Sequence, residues 1–380
     1  MQARRIDWTN TLFLCLSPLL GIVGTLLYAL RYGVTWWEPV LCLTLCMLIG
    51  ISIGSGYHRY YSHKAYDCHP IVEAFMLTFG AMALQNSVLQ WARDHRDHHK
   101  FVDTDDDPYN IKRGFWWAHI VWVFFKADPR KNFDNVPDLT RNRLVMLQHR
   151  LRIVLGIGVG LGLPTLVGAL FGSPLGGLLW GGFLRIVLIH HTTFFVNSAA
   201  HLWGSRPYTE ENSARDNWFL AFFTHGEGYH NYHHKFPSDF RNGIRWYHWD
   251  PNKWFIRVIE RLGLAQGLKT TPPPLIEKAR LAVALAKAER RRREPAPVEL
   301  REAVRLRVEA ARRSLDEALE LWNETRLRRQ ELKKLRRTEA IAEFKAELRA
   351  KAREYEERFR QAREEWRAAV AMLSAVPQPA

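Results

Sequence analysis

TLFLCLSPLLGIVGTLLY, Thr11 to Tyr28, runs for eighteen residues without a charge, and VLCLTLCMLIGISI, Val40 to Ile53, repeats the pattern after Arg31 and a short aromatic turn containing Trp36 and Trp37. About 20 apolar residues cross a bilayer, so the pair reads as a transmembrane hairpin. A second pair follows at Ile153–Phe171 and Leu175–Val196, joined by a Gly-Ser-Pro turn, with Arg185 the sole charge in its second member. Four spans, at 11–28, 40–53, 153–171 and 175–196, are therefore expected. Ile71–Leu84 is also apolar, but it is short before Gln85 and Asn86 interrupt it. It reads as a helix lying in or on the membrane interface.

The rest of the 380-residue chain is organised around these spans. Residues 277–370 hold 27 of the 54 Lys+Arg and 19 of the 39 Asp+Glu, although mean hydropathy over the whole chain is only -0.25. The composition changes near Pro272-Pro273-Pro274, which divides the chain into a membrane domain, 1–271, and a charged tail, 272–380. The net charge of +15 splits into +7 before residue 277 and +8 after it, so neither part carries an excess that points to nucleic acid. Four cysteines with no CxxC pair give neither a disulfide framework nor a zinc ribbon. Four spans put the N-terminus, the middle loop and the C-terminal part on one side of the membrane. Arg4, Arg5, Lys100, Lys112, Arg113, Lys126, Arg130 and Lys131 lie on that side, which the positive-inside rule makes cytoplasmic. Segments 54–152 and 197–271 would form a cap there. The first apolar run is too long for a signal peptide and lacks an A-x-A cleavage site.

Sixteen histidines carry the chemical signal. Nine fall into compact groups just beyond apolar runs: His58 and His63; His95, His98 and His99; His201; His230, His233 and His234. Two H-x-x-H-H runs arise by chance in roughly one chain in a thousand at this histidine content. On a helix, i, i+3 and i+4 neighbours share a face, so each run is expected to aim three imidazoles into one volume. His58 and His63, five residues apart, lie well apart around an ordinary helix; this pair is expected to end a helix or to flank the metals from two sides. Asn197 and His201 are again i, i+4. Nine imidazoles exceed what one ion takes and suit two, although imidazole alone does not choose among Zn, Cu, Fe and Ni. Asp94, Asp97, Asp103, Asp105, Asp106, Asp107 and Glu227 are nearby candidates for accepting the second ring N–H of these histidines.

The motifs HRYYSH (58–63), WARDHRDHHK (91–100), NSAAHLWG (197–204) and GEGYHNYHH (226–234), with Asp7-Trp8-Thr9 before the first span, resemble the membrane-bound fatty acyl-CoA delta-9 desaturases, the stearoyl-CoA desaturase family. The resemblance covers about Asp7 to Leu264. It implies an all-α integral membrane fold, with four transmembrane helices in two hairpins capped by a cytosolic helical di-iron domain. It also implies two Fe ions held by His58, His63, His95, His98, His99, His201, His230, His233 and His234, with Asn197 acting through a water and O2 as co-substrate. The implied reaction removes two hydrogens from a saturated acyl-CoA such as stearoyl- or palmitoyl-CoA, although another acyl carrier would serve. Gln85, Asn86, Trp91, Arg93, Asp94 and Thr193 match positions lining the substrate tunnel, and Arg93 would face the polar groups of the carrier. A related histidine-box hydroxylase acting on fatty acids or alkanes is the alternative.

His69, His119, His149, His190, His191 and His248 fall outside the motifs and read as core or interface residues. His225 stands where the family usually carries an apolar or small residue, and reads as a bystander or as a residue touching the ligands from outside. The tail lacks the His-Pro-Gly-Gly signature of a cytochrome b5-like haem domain. Electrons would therefore come from a separate donor, a cytochrome b5, a ferredoxin or a flavin reductase. Apolar residues at three-, four- and seven-residue steps through the tail predict a long amphipathic helix or helical hairpin broken near Pro295-Ala296-Pro297, able to support a homo-oligomer. The absent haem domain and the tail favour a multi-pass protein of a bacterial plasma membrane, with the endoplasmic reticulum as the alternative.

Overall fold

The computed structural model describes residues 5–126, 132–291, 297–334 and 340–375; Arg4, Arg130, Lys131, Pro295 and Ala296 lie outside them. The chain divides into two compact units, Met1–Ser205 with Glu211–Thr270, and Arg206–Glu210 with Thr271–Ala380.

Among the described residues of the first unit, four helices are long and apolar enough to cross a membrane: α1 (Trp8–Tyr32), α2 (Trp37–Ser62), α5 (Arg143–Leu170) and α6 (Pro174–Leu202). Each overruns the span expected from its uncharged run at one end or both. A helix already nucleated propagates through charged residues that hydropathy excludes, so α5 begins at Arg143 and α2 carries His58 within it. Only 28% of the most apolar stretch of α1 and 22% of that of α5 is buried, against 56% for α2 and 50% for α6. Thus α1 and α5 turn leucine-rich faces outward, with Leu12, Leu16, Leu26 and Leu27 all exposed on α1, while α2 and α6 form the inner pair. Arg185, the lone charge in α6, is fully buried and donates to the carbonyls of Gly181, Met82 and Gly160. Its charge is dispersed over backbone acceptors, which is how a guanidinium is accommodated among apolar helices.

The shorter helices pack around the inner pair. The apolar helix α3 (Pro70–Ala81) is too short to span; Pro70 opens it and His69 Nδ1 accepts the Ile71 amide at 3.2 Å. Helix α4 (Val88–Phe101) begins at Ser87, whose hydroxyl accepts from the Gln90 amide, and it carries one H-x-x-H-H run. Helices α7 (Trp218–Phe223), α8 (His230–Lys235) and α9 (Pro251–Arg261) follow the fourth span. One core joins Leu45, Ile49 and Tyr57 of α2 to Leu77 of α3, Leu89 and Ala92 of α4, Val145 of α5 and Ile189 of α6. A second joins Val72 and Met76 to Phe240, Ile256 and Ile259, where strands Asp67–Cys68 and Ala265–Gln266 pair antiparallel.

The second unit is helical: α10 (Pro273–Arg291), α11 (Val298–Lys334) and α12 (Ala340–Ala375). Ion pairs Glu317–Arg358, Glu324–Lys351 and Arg328–Glu347 run in opposite order along α11 and α12, which sets the two antiparallel. Leu281, Val304, Ala311, Trp366, Ala369 and Leu373 fill the core, with Trp366 1% exposed.

Candidate metal centre

Local hydrogen bonding decides where His58, in α2, and His63, at its end, point. Residues Ser52–Ser62 form wide turns with the i→i+5 pattern, and the His63 amide donates to the His58 carbonyl at 3.1 Å. These wide turns bring His58 and His63 to the same side, with ring centroids 4.9 Å apart. The pair ends the helix, as expected, with His63 as its C-terminal cap, but the two rings do not lie well apart around it. The H-x-x-H-H runs also differ from expectation. His58, His63, His95, His99 and His233 make one group, while His98, His201, His230 and His234 make the other. Each run is split between the groups: i and i+4 stay within about 40° of each other around the helix, while i+3 lies about 60° to the other side.

Within the first group, Nε2 of His233 lies 2.9 Å from Nε2 of both His58 and His99, and His63 Nε2 lies 2.8 Å from His95 Nε2. In the second, Nε2 of His230 is 3.1 Å from those of His201 and His234, and His98 Nε2 is 3.3 Å from that of His234. Imidazoles bound to one ion at about 2.1 Å and at right angles have nitrogens about 3 Å apart. The separations fit a metal ion in each group.

Outward partners fix three of the rings. His58 Nδ1 lies 2.8 Å from Glu227 Oε2, and His98 Nδ1 lies 2.9 Å from Asp107 Oδ1. His201 Nδ1 lies 2.7 Å from the Ser213 hydroxyl, which donates its own proton to Asp103 at 2.5 Å. Each of these Nδ1 atoms is therefore the protonated one, and each Nε2 turns a lone pair inward, as a metal ligand requires. A lone pair facing another nitrogen at 2.9–3.3 Å needs a proton or a cation between them. Burial, reinforced by neighbouring imidazoles, holds His63, His95, His99, His230, His233 and His234 well below the usual histidine range, so they stay neutral. Burial alone would raise the Glu227 carboxyl, but the Arg59 guanidinium and the His58 contact bring it down to about 2. Arg59 is itself buried, donating to Glu227, Asp250 and the Phe240 carbonyl.

Both groups border one mostly apolar cavity. His58 and His95 line it from the first group, and His98 and His230 from the second. Gln85, Asn86, Trp91, Asp94, Thr193 and Asn197 are also in its wall, with Gln85 Nε2 donating to Thr193 Oγ1 at 3.0 Å. Arg93 is not; it is buried, with its guanidinium on Asp94 Oδ1 at 2.8 Å and over the Phe133 ring. His69, His119, His149, His190, His191 and His248 lie outside both groups. Ser213 and Tyr109, whose ring lies 4.5 Å from that of His98, gave no sequence signal, because both stand in loops without spacing or motif.

The fatty acid desaturase family model matches residues 35–260, a stretch holding all nine clustered histidines. The chain belongs to the fatty acid desaturase family. Among its relatives in this family, a protein named "Probable acyl-CoA desaturase" from Schizosaccharomyces pombe is 41% identical over 72% of this chain and 57% of its own length. "Acyl-CoA desaturase 1" of Saccharomyces cerevisiae is 37% identical over 73% of this chain and 54% of its own length. This desaturase-family chain thus spans little more than half of those two relatives. "sn-2 palmitoyl-lipid 9-desaturase" of Nostoc sp. is 35% identical over 71% of this chain and 92% of that protein.

Proposed function

We propose that the chain is an oxygen-dependent acyl desaturase that inserts a cis double bond at carbon 9 of a saturated fatty acyl chain, carried as stearoyl- or palmitoyl-CoA. The observation that carries this reading is the gathering of nine imidazoles into two nitrogen-only groups at the wall of one apolar cavity. The relatives named for acyl-CoA and for 9-desaturation support the substrate class and the position. A saturated chain, one O2, two electrons and two protons give the alkene and two waters. Two irons, one with His58, His63, His95, His99 and His233 and one with His98, His201, His230, His234 and, through water, Asn197, would supply the oxidising power that an unactivated methylene needs.

The remaining work falls to the chain's own residues. Glu227, Asp107 and the Asp103–Ser213 pair hold three rings in one tautomer, and all-nitrogen ligation survives a strong oxidant. The apolar lining excludes water and holds the alkyl chain with one carbon pair against the histidines. Gln85, hydrogen-bonded to Thr193, stiffens the wall beside Asn86 and Trp91. We place 1–271 as the membrane and catalytic domain, its cap and both termini in the cytoplasm of a bacterium, and 272–380 as a separate helical unit.

The test is gas chromatography with mass spectrometry of fatty acids from a desaturase-deficient host expressing the chain, beside His98→Ala. A new monoene unsaturated at carbon 9, absent in the variant, is expected. Hydroxy acids in its place would transfer the reading to a hydroxylase.

A further inference from the structure

His225 is neither in a histidine group nor a satisfied core residue. Its backbone sits at φ 54°, in the left-handed region that side chains other than glycine adopt only at a cost. The conformation is pinned from outside, for the His225 carbonyl accepts from Asn252 Nδ2 at 2.8 Å. Asn252 is fully buried, donates also to Glu227 Oε1 at 3.1 Å and accepts from the Ser55 hydroxyl at 3.0 Å. So held, the ring is brought against Gly50 of α2, where a Cβ would stand 2.5 Å from Cε1 and Nε2 of the imidazole. The glycine at 50 and the histidine at 225 share one volume, and only one of them can fill it.

That volume belongs to the cavity. Gly50, Gly54 and His58 succeed one another at four-residue steps along α2, and all three line the cavity, as does His225. About two turns of helix carry the wall from His58 to the level of Gly50. The residue is half-buried and lines the cavity. Burial lowers its pKa to about 4, despite the nearby Glu227 carboxylate, which leaves it neutral at neutral pH. No described residue hydrogen-bonds to either ring nitrogen, so no polar partner among the described residues accounts for an imidazole here.

We propose that His225, seated on Gly50, limits how far an acyl chain extends along α2 away from the histidine groups and so sets the chain length the protein accepts. The proposal rests on the desaturase reading above and adds a specificity-determining residue to it.

The experiment compares the full chain with His225→Ala, His225→Phe, Gly50→Ala and the double variant Gly50→Ala/His225→Ala in the same host. The readout is the ratio of 18-carbon to 16-carbon monoenes. His225→Ala is expected to raise the ratio at least threefold, and His225→Phe and Gly50→Ala to lower it. In the His225→Ala background, Gly50→Ala should change it much less, because the side chain it collides with is gone. For a variant without turnover, purified protein is titrated with palmitoyl-CoA and with stearoyl-CoA, and the two shifts in unfolding midpoint give the preference directly. An unchanged ratio in His225→Ala, by product or by midpoint, overturns the proposal. Wild-type chain that makes no monoene in a competent host, yet binds both thioesters with a preference that His225→Ala shifts, overturns the desaturase reading and leaves the length selection standing.

Discussion

Asp107 accepts from the Nδ1 of His98 and also from the backbone amides of Asp103 and Tyr109, so one carboxylate orients both a ring and the loop that approaches it. Asp107→Asn keeps the shape and removes the charge. It is expected to weaken metal retention about 10- to 100-fold, measured as iron per protein after dialysis against a graded chelator series. Ser213→Ala acts by a different route, leaving Asp103 without its link to His201, and should lower retention in the same assay while the membrane-inserted yield stays constant. His98→Ala and His233→Ala each remove one ligand from a different group. Both are expected to abolish monoene formation, and full activity in either would contradict a two-metal centre. The nine clustered histidines were legible because H-x-x-H-H is rare and helical periodicity gives it a direction. Their division into two groups was not, since it depends on how α4 and α8 face each other. Ser213 stands twelve residues beyond His201 in a loop, and only tertiary folding brings its hydroxyl to that ring.

Arg96 shows how α4 is tied to the end of α2. Its guanidinium donates to the carbonyls of Tyr61, Ser62 and Asn135 and grips both oxygens of Asp138, at 2.8 and 2.9 Å. Burial opposes ionisation of Asp138, but the hydrogen bonds and charge of Arg96, with help from Lys64, bring its pKa down to about 2. An acid depressed in the folded state stabilises fully above its unfolded pKa of about 3.9, and that stabilisation is lost as pH falls through the folded value. Asp138→Asn should therefore lower the unfolding midpoint equally at pH 6 and pH 8, and the difference should close between about pH 4 and pH 2. A gap that changed between pH 6 and pH 8 would mean that another group titrates. The four spans were readable because length and uncharged runs suffice to find them. The wide turns of 52–62 were not, because i→i+5 bonding leaves no mark in composition, and they bring His58 and His63 to one side. In α6, Arg185→Met would leave the Met82 and Gly160 carbonyls without their donor. Each buried polar group so orphaned costs about 1–3 kcal/mol, a loss visible as a lower unfolding midpoint in detergent.

For the whole molecule, the division near residue 271 predicts that a chain ending at Pro272 still inserts and still holds its metal. Iron lost from that truncation, with insertion intact, would make the helical tail part of the catalytic unit. The composition break marked the tail, but the antiparallel pairing of α11 with α12 follows from matched charges such as Glu324 and Lys351, which lie 27 positions apart. The nitrogen-only character of the two histidine groups has a further consequence for the protein as a product of its cell. Affinity for imidazole rises from iron through cobalt and nickel to copper, so a cage of neutral rings cannot favour iron by its own chemistry. Which ion it captures is decided by what its surroundings offer while the chain is folding. Protein made in zinc-rich, iron-poor medium would be correctly inserted, stable and catalytically silent, and its metal content would record the growth history of the culture.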